Sequence, residues 1–109
     1  MDKKELEVFS TQPDCAIVRL SGKKAPGVVV QGDTLAILFD SALKLVEQLH
    51  ESGMDDAFEE ALFLAEDLES RIRHYEEVLT DHKMPLPYQR DTTRSTEDYT
   101  ADAEAEPQV

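Results

Sequence analysis

Across residues 4–9 polar and apolar side chains alternate, with Leu6 and Val8 on one face, the two-residue period of a half-buried strand. Residues 15–20 repeat the pattern, setting Ala16, Val18 and Leu20 against Arg19. Val28, Val29, Val30 and Gln31 form a third short run, rich in the β-branched residues that suit a pleated surface. The links between them are turns. In Thr11-Gln12-Pro13-Asp14 the proline fixes φ and the aspartate can bond its own backbone, and residues 21–27 form a loop tipped by Lys23 and Lys24 and closed by Pro26-Gly27. Links this short join neighbouring strands, which predicts a three-stranded antiparallel meander.

After Gly32-Asp33 the period changes to about 3.6 residues. Asp33 is the expected N-cap of a helix over residues 34–51. Leu35, Leu38, Phe39, Ala42, Leu43, Leu45, Val46 and Leu49 fall on one broad face, with Asp40, Ser41, Lys44, Glu47 and Gln48 opposite and Ile37 stranded among the polar positions. Ser52-Gly53 ends the helix, glycine tolerating the left-handed cap. A second helix is predicted from Asp55 or Asp56 to Asp81, opened by the capping-box pair Asp56 and Glu59. Its apolar positions Ala61, Ala65, Leu68, Ile72, Tyr75 and Leu79 form a narrow seam, widened at the start by Phe58 and Leu62, while Phe63 and Leu64 lie off it. Either both seams meet over one face of the sheet, or part of the helical surface pairs with a second copy. Beyond Met84-Pro85-Leu86-Pro87 the apolar periodicity stops. The expected fold is therefore α+β: a meander followed by two amphipathic helices in one small domain over residues 1–82, with residues 83–109 a flexible, disordered acidic tail.

Charge sharpens this picture. The 109 residues carry 11 Lys and Arg against 24 Asp and Glu, a formal net charge of −13. Most of it is local: residues 51–81 hold eleven acids against Arg71 and Arg73. Direct nucleic-acid binding is not expected, because a grip on phosphate needs clustered Lys and Arg. No apolar run approaches the roughly 18 residues of a membrane span, and no N-terminal signal pattern is visible. A single cysteine, Cys15, excludes an internal disulfide and fits the reducing cytoplasm.

The run Pro26-Gly27-Val28-Val29-Val30-Gln31-Gly32-Asp33-Thr34-Leu35, followed by an amphipathic helix, resembles the central signature of HicB-type antitoxins. The resemblance spans residues 16–50 and implies a compact core that binds and blocks a toxic partner. The same run resembles an uncharacterised family of short bacterial proteins through Arg19, Gly22, Pro26, Gly27, Gln31, Gly32 and Asp33. HicB-type chains usually add a DNA-binding segment after this core, where this chain has an acidic helix and a polar tail.

Catalytic parts are scarce. The Gln-Gly-Asp-Thr turn has one glycine and no lysine, unlike a phosphate-binding loop. Cys15 has no flanking nucleophile motif, and His50, His74 and His82 lack metal-ligand spacing. The reading is thus of a non-enzyme with no cofactor and no metal. Acids in the first turns of the second helix answer its macrodipole. Asp67 with Arg71 and Glu69 with Arg73 are helical ion pairs. Glu76, Glu77 and Asp81 sit at the end where the dipole disfavours anions, which is compatible with a surface kept for a basic partner. The expected partner-binding residues are Glu59, Glu66, Asp67, Glu76 and Glu77, with Phe63 as aromatic anchor. The expected function is a cytoplasmic immunity or antitoxin-type protein that neutralises a basic toxin or effector, a nuclease being the reasonable guess. The alternatives are a secretion or assembly chaperone, often dimeric, and a nucleic-acid mimic. A homodimer would also help so small a folding unit.

Overall fold

The computed structural model describes residues 5–12 and 15–104, with side chains described as far as Thr100. Three strands, β1 (Glu7–Ser10), β2 (Ala16–Arg19) and β3 (Gly27–Val29), are followed by α1 (Gly32–Ser52), α2 (Asp55–Asp81) and α3 (Glu97–Glu104). The sheet order is β1-β2-β3, antiparallel throughout, as the alternation and short links require. Val8 faces Val18, Ile17 faces Val28, and the register shifts between Val8 and Ser10 at a β-bulge. Pro13 and Asp14, predicted to form a turn, lie outside the described residues.

Two helical expectations change in detail. Helix α1 begins one residue before Asp33, with Gln31 at the N-cap, and Asp33 instead accepts a bond from the adjacent Thr34 N–H at 2.8 Å. Helix α2 is capped by Met54 without a side-chain bond, so no capping box forms. Gly53 does take the left-handed conformation at the end of α1, with φ 74°. It reverses the chain, and α1 and α2 pack as an antiparallel hairpin.

The core lies between those two helices. Phe39, Ala42, Leu43 and Val46 of α1 meet Phe58, Ala61, Leu62, Ala65 and Ile72 of α2, all buried. The sheet is not part of this core. Among the described residues no strand packs on either long helix, and Leu6, Val8, Phe9, Leu20, Val28, Val29 and Val30 are exposed. Of the two arrangements the sequence leaves open, the one in which the seams meet over the sheet does not form, and the seams meet each other instead. The molecule is elongated, with a radius of gyration of 17.1 Å, against about 13 Å for a compact chain of this length.

The stretch after residue 83, expected to be a flexible tail, instead lies across the hairpin as far as Thr100. Ser95 and Thr96 are buried, and Tyr99 packs against both halves of the core. Periodicity missed this strap because it is held by a few polar and aromatic side chains rather than by an apolar face.

A strapped face, a bare face and an acidic edge

The hairpin has two broad faces, and the strap covers one of them. Its first anchor is Tyr88, whose ring stacks on Tyr75 with centroids 6.4 Å apart and whose hydroxyl donates to Glu76 at 2.9 Å. Arg90 then donates twice to the same carboxylate, Nη2 to Oε1 at 2.7 Å and Nε to Oε2 at 2.9 Å, and its guanidinium lies 5.4 Å from the centre of the Phe39 ring. A planar fork matched to a carboxylate is the strong form of this contact. The Arg90 bond pulls the Glu76 carboxyl below its ordinary value despite the opposing push of burial.

Next, Arg94 reaches α1, donating to Asp40 at 3.0 Å and Glu47 at 2.7 Å. Asp91 folds the intervening turn by accepting from the Thr93 backbone at 3.0 Å and its hydroxyl at 2.5 Å. The third anchor is Glu69, a buried acid in the middle of α2. Its Oε1 accepts from the Thr96 hydroxyl at 2.5 Å, the Ser95 hydroxyl at 3.2 Å and the Thr96 N–H at 3.3 Å, and its Oε2 accepts from Arg73 at 3.1 Å. Burial alone pushes this carboxyl up, but Thr96, Ser95 and Arg73 together outweigh it and leave it below its ordinary value. Tyr99 closes the strap, its ring 5.3 Å from His50 and 6.4 Å from Phe58.

Among the described residues nothing covers the opposite face in this way. Leu38, Ser41, Ala42 and Leu45 of α1 and Leu64 and Leu68 of α2 line a shallow apolar groove of about 360 Å³. It continues toward the Gly53 turn past Leu49, Ala57 and Phe63, with Glu60 at its edge. Three of these leucines, Leu38, Leu45 and Leu64, are exposed.

The sequence-predicted site residues divide between these surfaces. Phe63 is 74% exposed on the outer edge of α2, and helical spacing sets Glu59, Glu66 and Asp67 around it. Glu77 is exposed farther along the helix. Asp67 carries an ion pair to Arg71 at 3.0 Å, and Glu66 accepts weakly from the Thr100 hydroxyl at 3.5 Å. Glu76 is not brought to this patch. Its side chain is 13% exposed and is engaged by Arg90 and Tyr88, so the charge that looked uncompensated at the helix end is answered from the strap. The sequence marks Glu69 only as the helical partner of Arg73, a pair that forms at 3.1 Å, and does not mark Arg90 or Arg94. The available signal was two arginines one helical turn apart between isolated tyrosines, in a segment otherwise short of cations.

Among the described residues no group of three or more His, Cys, Asp or Glu is placed to hold a metal, and no helix is long and apolar enough to cross a membrane. Cys15 is exposed, with its thiol free. Fold and surfaces together define a small α+β protein built on a strapped helical hairpin. The chain belongs to a family of unknown function, DUF6959, whose model matches residues 1–88 and so ends at Tyr88, before Arg90 and the rest of the strap. No curated protein and no solved structure matches it.

Proposed function

We propose that this chain is a protein-binding inhibitor of the immunity or antitoxin type, acting in the cytoplasm on a basic toxin or effector. The observation that carries the reading is Phe63, exposed on the outer edge of α2 with Glu59, Glu66 and Asp67 around it and Glu77 beyond. An aromatic ring left in water among acids suits a partner that is steered by charge and then anchored by apolar contact. Glu76 belongs to the strap and is not part of this surface. The likeness of the Pro26-Gly27 to Thr34 run to the HicB-type core supports the same class. A nuclease fits as partner because its nucleic-acid groove would be basic.

Affinity capture from the source cells, followed by sequencing of what binds, tests the proposal. A basic protein is expected with the wild type. The double variant Glu59→Lys with Glu77→Lys is expected to slow its association about tenfold at low salt, and less at high salt. Unchanged association rates for that variant, or no basic partner at all, would sink the reading.

A further inference from the structure

The bare face of the hairpin has an internal symmetry that the strapped face lacks. On α1, Leu38 and Leu45 stand on either side of Ser41 and Ala42, and all four line the groove. Level with those small residues, α2 contributes Leu64 and Leu68 to the same groove. A single two-fold axis through Ser41 and Ala42, passing between Leu64 and Leu68, would therefore map the groove onto itself. It would bring Leu38 of one copy against Leu45 of the other, and Leu64 against Leu68. Self-complementarity about one axis is what an isologous dimer requires.

We propose that a second copy of this chain occupies the groove, so that two hairpins join face to face as an antiparallel four-helix bundle. Ser41 and Ala42 keep the centre low on α1, which lets helix axes approach to the roughly 8–10 Å of packed helices. Charge agrees with the same axis. Glu60 lies one turn before Leu64 and Arg71 about one turn after Leu68, so each Glu60 faces the Arg71 of the other copy. Arg71 also holds Asp67 of its own helix at 3.0 Å, so that acid at the border of the contact is compensated, while Glu59 and Glu66 lie on the far side of α2. The area is also adequate: α1 is 21 residues, about 31 Å long, and two helices side by side are about 20 Å wide. The corrugated surface of such a face approaches the roughly 800 Å² per partner of a standard interface. The strap, on the opposite face of the hairpin, stays outside the interface.

Light scattering and sedimentation on the full chain, over roughly 1–100 µM, test the proposal. The monomer mass is 12.3 kDa, and a species of twice that mass is expected. Leu64→Glu, which enters the interface once from each copy, is expected to weaken dimerisation about 100-fold while the far-UV circular dichroism stays helical. Glu60→Arg and Arg71→Glu should each weaken the dimer, and the double variant should recover it, an outcome that mere loss of folding does not produce. Glu59→Lys, outside the groove although beside Phe63 at its far end, should leave the dimer intact while slowing toxin association, so the two proposals can fail separately. A wild type that stays monomeric throughout overturns the proposal. So does a dimer that survives Leu64→Glu but is lost on Val8→Lys, which would place the contact on the sheet, or a double charge swap without recovery.

Discussion

The two faces of the α1–α2 hairpin share one core but differ in how they are finished. One is closed by residues 88–100 through two arginines, a buried glutamate and two tyrosines. The other is smooth, leucine-lined and open. A strap attached through directional polar bonds has one orientation, because Arg90, Arg94 and Thr96 each meet carboxylates fixed on the two helices. An apolar groove carries less directional information, and its specificity must come from shape and from the charges at its ends. The contrast suggests a division of work, in which the closed side stabilises the chain on itself and the open side is available to another surface.

The largest effect expected from this contrast separates two leucines of one turn of α2 that point in different directions. Leu62 is 3% exposed and Leu64 is 50% exposed. At protein concentrations low enough to keep the chain monomeric, Leu62→Ala is expected to cost about 2–5 kcal/mol in urea unfolding, the range for a cavity in a core. Leu64→Ala should stay within about 0.5 kcal/mol under the same conditions. Equal costs would mean that the groove is interior to the monomer.

A somewhat smaller effect is expected at Arg90. Its side chain is 10% exposed against 13% for Glu76, so Arg90→Ala strands a mostly buried carboxylate and also uncovers the Phe39 ring. The expected loss is about 3 kcal/mol, the lower end of the range for breaking a buried pair. Thermal unfolding should show a midpoint lower by roughly 10 °C or more. Replacing the pair together, Arg90→Met with Glu76→Leu, should return most of that loss, since two apolar side chains carry no desolvation cost. Failure of the double variant to recover would show that the pair itself, rather than the burial beneath it, holds the strap.

Acid should act most gently. Glu69 and Glu76 both have folded values below the ordinary 4.5. A carboxylate of this kind contributes stability that is fully present above its unfolded value and is lost as pH falls through the lower folded one. The strap should therefore loosen below about pH 4.5 while the hairpin core persists. With no tryptophan in the chain, tyrosine emission reports directly, because Tyr88 and Tyr99 both ride on the strap. Hydrogen exchange at the Thr96 amide should quicken before that of Ala65 in the middle of α2. Simultaneous loss of both signals would show that strap and hairpin unfold as one unit.

Much of the architecture is legible in the chain because it rests on local periodicity. Alternation located β1 to β3 within a few residues, and the switch to helical spacing after Gly32 marked α1 and α2. What periodicity does not carry is the identity of the covering partner. Eight apolar positions of α1 were read as a single stripe, yet Phe39, Leu43 and Val46 are interior while Leu38 and Leu45 lie on the open flank. Both sets have the same spacing, and only the second helix and the strap decide between them. The strap was invisible for a different reason. Its bonds join residues 14, 27 and as many as 54 positions apart, through side chains that each look solvated in isolation. At the candidate patch, helical spacing sets Phe63 off the seam and the structure leaves it exposed, whereas Glu76 is covered by Arg90 and Tyr88, whose approach no local pattern announces.

The first glycine of α1 shows how little space can tie distant parts of this chain together. A methyl group built on Gly32 would sit 2.1 Å from Cζ of Tyr75, so the ring of that tyrosine lies where any other residue would place its side chain. Tyr88 stacks on the same ring. The joint between sheet and hairpin, the last turns of α2 and the start of the strap thus converge on one missing carbon atom. Mechanically it behaves as a keyway: a larger residue at 32 would shift Tyr75, and with it the seat of Tyr88, so a change made beside the sheet would be felt first at the opposite terminus.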